Sequence, residues 1–499
     1  MRARRALSFI LSSLIFVAVV GGGRTAAGTP ALESSRESAR ARVEALRRTA
    51  EIPGLAVAVG RDGRTIWSEG FGLADLETRA PVTTDTRFRA ASVSKVLTVA
   101  ALARLVDDGV LDLDAPVARW LPELPAAVGR ITLRQLAGHL GGIRHYERKD
   151  FGPDGIDRRS FESLADALEI FVDDPLIAEP GTEYRYSTFG YTLLGAVMER
   201  VTGKDFLTIM EDRVFGPLGM TDSGGDVVER VVPHRAALYQ QVDRGEAARP
   251  SPDDPSYKWP GGGLLTSAED LVRFGLAHLR PGYLSEATLA QIFVPQSDGA
   301  GVGTGVGVGW RIGRDWRGRP IYHHSGSMSG ARSSIVLYPE EGLVAAIVTN
   351  MSGAPPLVES TLQLVAEPFL AAAESGPEPP GASAYAWRGR ATTQGETLDV
   401  DGWLSLIEDR RSLRGAMSVP PPVVERLLAQ SYPLTLTLPV LGWQHAGGGG
   451  GLVVVTPLGI VFAPVERTPD GLHLSMDVGP VAFELDAVRW PQETPPDPG

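Results

Sequence analysis

Apolar and polar positions at the start of the chain follow first a helical period and then a strand period. Residues 33–49 mix charged and apolar positions at helical spacing, which predicts an amphipathic helix. The runs 54–60 (GLAVAVG) and 65–71 are typical of strands, and the Asp62-Gly63 pair between them favours a hairpin turn. The chain therefore opens with a helix followed by a β-hairpin.

A long apolar helix and a second group of strands follow. Residues 92–106 are apolar almost all round and end before Gly109, which predicts a buried helix. From there to about residue 280 the pattern is mostly helical, and a last helix is predicted at 357–373. The later strands are predicted at 305–312, 321–325, 333–337 and 343–349. This order predicts an α/β fold in which a sheet is flanked by helices and a largely helical region is inserted beside it.

The composition changes near residue 375, where a second unit begins. Residues 375–384 are rich in Ser, Gly and Pro and are interpreted as a linker after a main domain at 28–374. Beyond the linker the sequence alternates as β-structure does, so residues 385–499 are interpreted as a small β-rich domain. Its tail after Trp490 is predicted to be disordered.

Charge and composition exclude several classes of function. The 499 residues carry a formal net charge of −12, which argues against nucleic acid or an anionic membrane as a main partner. The chain has no cysteine, so disulfides, thiolate catalysis and iron–sulfur sites are excluded. Its eight histidines show no metal-ligand spacing. No metal and no cofactor are expected.

Residues 1–27 have the pattern of a secretory signal peptide. Three arginines precede an apolar stretch at 6–20, glycines break it, and small residues at 25–27 offer a cleavage site. The alternative is an uncleaved anchor, the one form of membrane contact expected, but the stretch is shorter than the roughly 20 apolar residues that span a bilayer. We expect an exported protein, either periplasmic or secreted.

The sharpest chemical feature is Ser92-Val93-Ser94-Lys95 at the start of the buried helix. Side chains three positions apart on a helix share a face, so Lys95 can reach Ser92. Burial favours a neutral lysine, and a neutral amine can take the proton of a serine nucleophile. Backbone N–H groups at a helix start can stabilise an oxyanion. The structural alternative is a helix cap followed by a lysine that reaches solvent.

Two further elements could complete such a site. Tyr186 opens a helical stretch, and a tyrosine near cations ionises more readily and can relay a proton; the alternative is a core or capping tyrosine. The segment His324-Ser325-Gly326-Ser327 ends a strand and could pair with a peptide-like substrate, or it could be a polar hairpin end.

These motifs in this order resemble those of the penicillin-recognising serine hydrolases, in the group of class C β-lactamases, D-Ala-D-Ala carboxypeptidases and esterases. Longer stretches at 139–146, 186–194 and 256–263 are most similar to the mitochondrial serine β-lactamase-like proteins. The resemblance covers about residues 40–350. It implies an α+β fold of the serine β-lactamase/transpeptidase type, with an antiparallel sheet flanked by helices and a mostly helical subdomain.

The resemblance also implies roles. Ser92 would be the acylated nucleophile, Lys95 its general base and Tyr186 the proton relay. Substrate would bind along the family's K-T-G strand, and the backbone N–H groups of Ser92 and Ser327 would form the oxyanion hole. The strand's residues here are His324, Ser325, Gly326 and Ser327.

Two positions depart from the family pattern. Thr188 replaces the asparagine of Y-x-N at a substrate-binding position, and His324 replaces the lysine of K-T-G. A neutral histidine holds a substrate carboxylate less well than a lysine, so weak β-lactamase and weak D-Ala-D-Ala carboxypeptidase activity are predicted. Arg332, in the next turn, is a candidate to restore the cation.

Three functions follow from these observations. The first is an exported serine hydrolase that acts on peptide-like amides or esters. The second is a carboxylesterase or β-lactam-handling enzyme with the same chemistry. The third is a non-catalytic scaffold, because the mitochondrial relatives of this family form filaments; a homo-oligomer is an associated expectation.

Overall fold

The computed structural model describes most of the chain from residue 29 onward. The described residues are 29–243, 246–315, 317–353, 358–370, 380–393, 395–409, 412–428, 436–446, 449–479 and 481–489. The signal peptide expected at 1–27, the first half of the linker expected at 375–384 and the tail after Trp490 lie outside them.

The first unit contains thirteen strands and twelve helices among the described residues. The strands are β1 (Gly54–Arg61), β2 (Arg64–Asp75), β3 (Ala80–Pro81), β4 (Phe88–Arg89), β5 (Gly224–Gly225), β6 (Tyr239–Asp243), β7 (Glu246–Ala248), β8 (Leu264–Thr266), β9 (Arg311–Arg314), β10 (Pro320–Met328), β11 (Ala331–Tyr338), β12 (Leu343–Thr349) and β13 (Met351–Ser352). The helices are α1 (Thr29–Thr49), α2 (Ser94–Asp107), α3 (Ala126–Gly129), α4 (Leu133–Ala137), α5 (Leu164–Ala167), α6 (Phe189–Thr202), α7 (Phe206–Met210), α8 (Gly216–Leu218), α9 (Trp259–Gly262), α10 (Ala268–Ala277), α11 (Glu286–Ile292) and α12 (Val358–Ala366).

A seven-stranded antiparallel sheet organises this unit, in the order β3-β2-β1-β12-β11-β10-β9. The first hairpin pairs with β12, so Val57 lies opposite Ile347 although the two residues are far apart in sequence. Both central strands are buried along almost their whole length because helices cover both faces of the sheet. This is the mixed fold, with an antiparallel sheet and flanking helices, that the sequence predicts.

The two faces of the sheet belong to two different cores. Ala56 and Ala58 of β1 point into the core that contains α2, α6 and α10. Leu55 and Val57, the alternate residues, point into the core formed with α1 and α12. Alternation of side chains along a strand therefore explains why the run GLAVAVG is apolar at every position.

The buried helix differs from the prediction at its first turn. Residues Ala91–Val93 form a 3-10 turn, and the α-helix begins at Ser94. Ser92 thus lies in the tighter turn that precedes the helix, and Lys95 lies in the first turn of the helix itself. All but three of the fourteen residues of α2 are buried, as its apolar pattern predicts.

The strand expected at 305–312 is largely wrong, because β9 begins only at Arg311. The preceding segment contains three glycines in the left-handed region, Gly301, Gly305 and Gly309, with φ between 69° and 80°. Such backbone angles interrupt a regular strand. The mostly helical middle also contains short strands, β5 to β8, that the sequence analysis did not predict.

In the described residues from 380 onward, the second unit is a closed antiparallel barrel whose eight strands follow one another in chain order, with one helix between β16 and β17. The elements are β14 (Ser383–Thr393), β15 (Glu396–Asp409), β16 (Ser412–Val419), α13 (Pro421–Leu428), β17 (Leu436–Ala446), β18 (Gly449–Thr456), β19 (Gly459–Thr468), β20 (Gly471–Val478) and β21 (Val481–Arg489). Pairing of β14 with β21 closes the barrel, which removes free strand edges.

The barrel packs on the face of the sheet that carries α1 and α12, away from Ser92. Val453 and Ile460 lie in the core shared with those helices, and the Ile460 N–H donates to Thr361 Oγ1 at 3.0 Å. The barrel therefore contributes to the scaffold on the opposite side of the sheet from α2. None of the helices in the described part of the chain has the length and apolarity that crossing a membrane requires.

Candidate active site

The start of α2 presents Ser92 from a strained turn. Ala91, immediately before it, has φ of 46°, a left-handed conformation that costs energy for a residue with a Cβ. The Ser333 hydroxyl donates to the Ala90 carbonyl at 2.6 Å, which fixes this turn to β11. Ser92 is half-buried, whereas its neighbours on both sides are buried. The strained turn therefore holds a serine hydroxyl at the protein surface.

Lys95 lies beneath that serine and is fully buried. Its Nζ donates to the Gly261 carbonyl at 2.5 Å and to Thr188 Oγ1 at 3.1 Å, and it lies 3.4 Å from Ser92 Oγ. The amine also lies 4.9 Å from the centre of the Tyr186 ring. Lys95 is thus held by three acceptors and points towards the nucleophile.

Tyr186 is the second group in contact with the serine hydroxyl. Its Oη donates to Ser92 Oγ at 2.9 Å, a normal distance for an O–H···O hydrogen bond. Tyr186 immediately precedes the turn from which α6 begins. The structure therefore places Ser92 Oγ within hydrogen-bond reach of both candidate proton acceptors.

The two acceptors change each other's acidity. Burial lowers the pKa of Lys95, although the Tyr186 phenol works in the other direction. Burial alone would raise the pKa of Tyr186, but the Lys95 charge and the hydrogen bonds with Lys95 and Ser92 outweigh it, so that pKa is lowered. Both shifts move the pKa of a candidate proton acceptor towards neutral pH, as general base catalysis requires.

The predicted substrate strand lies directly against the nucleophile. A Cβ on Gly326 would lie 2.8 Å from the backbone nitrogen of Ser92 and 2.6 Å from the Ala90 carbonyl, so only glycine fits there. Strand β9 pairs with β10 only as far as His323. In the described part of the chain, β10 from Ser325 to Ser327 therefore lies at the edge of the sheet, beside Ser92.

Two of the predicted substrate-binding residues occupy buried positions. Thr188 is 3% exposed, and its hydroxyl accepts from Lys95. His324 is 1% exposed, and its Nδ1 lies 2.7 Å from the carbonyl of Ser325. Ser325 and Ser327, by contrast, are partly exposed and exposed. The strand thus offers Ser325 and Ser327, rather than the imidazole of His324, to a bound molecule.

Several residues at the site had no assigned role in the sequence analysis. The Gly261 carbonyl accepts from Lys95, and His139 and His145 surround Tyr186. Their stretches carried the family resemblance, but no local pattern indicates which atom contacts the site. Arg311, at the start of β9, affects the pKa of Lys95 and Tyr186 through its charge.

The geometry suits acyl transfer to a serine. Ser92 Oγ can lose its proton to Lys95 or Tyr186, and the backbone nitrogen of Ser92 lies close to Gly326. A backbone N–H group beside a nucleophile can stabilise the oxyanion of a tetrahedral intermediate.

Comparison with known proteins agrees with this geometry. The family model described as Beta-lactamase matches residues 39–368. The chain is 31% identical over 432 residues to the serine beta-lactamase-like protein LACTB, mitochondrial, of Homo sapiens, which covers 65% of this chain and 79% of the human protein. It is 34% identical over 290 residues to esterase EstB of Burkholderia gladioli, which covers 51% of this chain and 72% of the esterase.

A solved structure extends the likeness to both units. The octameric penicillin-binding protein homologue from Pyrococcus abyssi has a TM-score of 0.58 and 20% sequence identity, and the match covers 90% of this chain and all of that chain. At this identity the likeness concerns the fold, which in both chains includes the region after the catalytic unit.

Proposed function

This chain belongs to the beta-lactamase family of serine hydrolases, and we propose that it hydrolyses peptide-like amides or esters through an acyl-enzyme on Ser92. The observation that carries the proposal is the position of Ser92 Oγ, 2.9 Å from Tyr186 Oη and 3.4 Å from Lys95 Nζ. This arrangement links a nucleophile to two groups that can take its proton.

The reaction proceeds in two steps. Ser92 Oγ attacks the substrate carbonyl while its proton passes to the Lys95–Tyr186 pair, and the oxyanion is held by the backbone N–H groups of Ser92 and Ser327. Collapse of the tetrahedral intermediate breaks the bond to the leaving amine or alcohol, which receives the proton from the pair. Water then attacks the acyl-Ser92 ester in the same manner and releases the acid.

The exposed edge of β10 supports a peptide-like substrate. An extended peptide can add to a sheet edge through backbone hydrogen bonds, which would place its carbonyl beside Ser92. An ester substrate needs to pair with the strand only through its acyl part. The likeness to an esterase of Burkholderia gladioli supports esters as the second substrate class.

A substrate carboxylate would be attracted by Arg311 rather than by His324. His324 is buried, whereas the charge of Arg311 acts on Lys95 and Tyr186 across the site. The expected test is an Arg311→Met variant, which should raise KM for an anionic acyl substrate and leave KM for a neutral ester unchanged. Equal effects on both substrates would contradict this assignment.

Covalent labelling tests the proposal directly. A fluorophosphonate probe and benzylpenicillin should each add to the wild-type chain, with the adduct located on Ser92 by mass spectrometry of peptides. The Ser92→Ala variant should take up neither probe. A folded wild type that takes up no probe would refute the catalytic proposal and favour the scaffold function.

We also propose that residues 1–27 direct export. Three arginines followed by a continuous stretch of apolar and small residues fit a secretory signal, whereas mitochondrial transit peptides are amphipathic and rich in arginine throughout. The name of the human relative assigns it to mitochondria, so the two destinations need to be separated. Fusion of residues 1–27 to a reporter that is active only after export, with the apolar stretch interrupted by two aspartates as control, decides between them.

A further inference from the structure

Two imidazoles from a single loop bind the turn that precedes α6. His139 Nδ1 accepts the backbone N–H of Ser187 at 3.2 Å, and His145 Nδ1 accepts the backbone N–H of Thr188 at 3.2 Å. The N–H groups before and within the first turn of a helix need acceptors, which a side chain at the helix start usually supplies. The Thr188 side chain makes no such bond. The two histidines supply these acceptors from another part of the chain.

The same two rings enclose the side chain of Tyr186. The His139 ring lies 4.3 Å from the Tyr186 ring at an interplanar angle of 40°. The His145 ring lies 5.3 Å away, almost perpendicular at 89°. Each histidine therefore fixes both the backbone next to Tyr186 and the ring that carries the phenol.

The loop that carries the histidines is itself firmly held. Arg144 donates to Asp150 at 2.7 Å, and both side chains are 5% exposed. The Arg144 carbonyl accepts from the hydroxyl of Ser187 at 2.7 Å. A Cβ on Gly142 would lie 2.0 Å from the Ala178 carbonyl, so the chain passes there in close backbone contact. The loop is thus a rigid support against which the tyrosine is placed.

We propose that His139 and His145 are positioning residues which, as neutral hydrogen-bond acceptors, hold Tyr186 Oη on Ser92. This inference rests on the proposed role of Tyr186 as a proton relay. An imidazole that accepts at Nδ1 carries its hydrogen on Nε2. A second proton, on Nδ1, would point at a backbone N–H. The hydrogen bond would then be lost, and the turn before α6 would no longer be held by the histidine.

Burial and nearby positive charges keep the two rings neutral. Burial lowers the pKa of His139 well below its usual range, and the charges of Lys95 and Arg311 act in the same direction. Burial lowers the pKa of His145 to about 4; Lys95 and Lys258 lower it as well, and Asp150 opposes them. At neutral pH both rings are therefore available as acceptors.

A matched pair of variants at His145 separates the acceptor from the ring. Asparagine places an amide oxygen near the position of Nδ1 and removes the ring, whereas phenylalanine keeps the ring and removes the acceptor. We expect His145→Asn to acylate with a p-nitrophenyl ester within about 5-fold of the wild type. We expect His145→Phe to lose about 100-fold in kcat, with little change in KM, because the phenol is displaced from Ser92.

A double-mutant cycle shows whether the effect passes through Tyr186. In a Tyr186→Phe background, His145→Phe should lower kcat by less than 2-fold, because no phenol remains to be positioned. An equal loss in both backgrounds would overturn the proposal, and so would an unimpaired His145→Phe or an equally impaired His145→Asn. His139→Asn gives a parallel test at the other histidine. The backbone of His139 has a φ of 61°, and asparagine tolerates this left-handed conformation. Thermal melts by circular dichroism show that each variant is folded.

A spectroscopic readout keeps the test independent of turnover. The difference in ultraviolet titration between the wild type and Tyr186→Phe reports the ionisation of that phenol. His145→Phe should shift the titration of Tyr186 to higher pH, because the phenol loses its contacts with Lys95 and Ser92. His145→Asn should leave this titration unchanged. A wild type that takes up no acylating probe refutes the proposed function, and the titration then still decides the role of the histidines. An unshifted titration in His145→Phe refutes that role.

Discussion

Gly326→Ala is the substitution that tests most directly how tightly β10 fits against the nucleophile. The added Cβ would lie 2.4 Å from Ser333 Oγ, 2.6 Å from the Ala90 carbonyl and 2.8 Å from the Ser92 nitrogen. The serine hydroxyl can rotate away, but the other two atoms belong to the backbone. Since normal contact begins near 3.4 Å, β10 and the turn before α2 must separate by roughly 0.6–0.8 Å.

This displacement sets the size of both expected effects. Overpacking of a buried site costs about 1–3 kcal/mol, so we expect the free energy of unfolding to fall by that amount. The same movement separates the backbone nitrogens of Ser92 and Ser327, and a misplacement approaching 1 Å costs about 100-fold in rate. The fall in kcat for acylation should therefore be much larger than the loss of stability would suggest.

The assay is the burst of p-nitrophenol on acylation, with urea unfolding measured in parallel. Gly313→Ala on the neighbouring strand β9 is the matched control, because a Cβ there has no atom within 4 Å. Its kinetics and stability should equal those of the wild type. If Gly326→Ala acylates at the wild-type rate with an unchanged free energy of unfolding, β10 does not lie in close contact with Ser92. That result would also refute the proposed oxyanion hole.

Three further predictions concern charges. Asp226→Ala removes one of the two buried carboxylates that pair with Arg89, while Asp253 remains, and should cost about 1.5–3 kcal/mol in urea unfolding. Glu179→Ala at an exposed pair should cost under about 1 kcal/mol, and similar costs would contradict this. Burial lowers the pKa of His278 to about 4, below the roughly 6.5 of an unfolded histidine, so only the unfolded chain takes up this proton as pH falls from 6.5 to 4. The wild type should lose up to about 3 kcal/mol more than His278→Asn over that range, and parallel pH curves would refute it. Hydrolysis of a chromogenic cephalosporin should stay below a kcat of about 10 s⁻¹, and a faster rate would show that replacing the K-T-G lysine by histidine is no obstacle.

Local patterns predicted the elements whose contacts are close in sequence. The hairpin β1–β2 follows from two apolar runs around an Asp-Gly pair, and the proximity of Ser92 and Lys95 follows from helical spacing alone. The 3-10 turn that carries Ser92 could not be predicted, because Ala91 is a poor candidate for a left-handed conformation. It is the contact of β10 and β11 with this turn that holds it there.

Contacts between distant segments set the rest of the site, and sequence spacing carries no information about them. The acceptor nearest to Lys95 is the carbonyl of Gly261, 166 residues away, and a backbone carbonyl has no residue signature. Likewise, the histidines at 139 and 145 contact a turn more than forty residues further along. A family resemblance marked both stretches, but only the fold shows which atoms meet.

The Lys95–Tyr186 pair is best regarded as one acid–base unit. Three acceptors around Nζ suit an ammonium group, yet burial lowers the pKa of Lys95, and the same ammonium lowers the pKa of Tyr186. Two groups that interact this closely titrate as a pair, so neither pKa belongs to one residue alone. The proton of Ser92 is therefore best assigned to the pair. An arginine at position 95 would hold the same acceptors but could not give up its proton, so only Tyr186 would remain as a base.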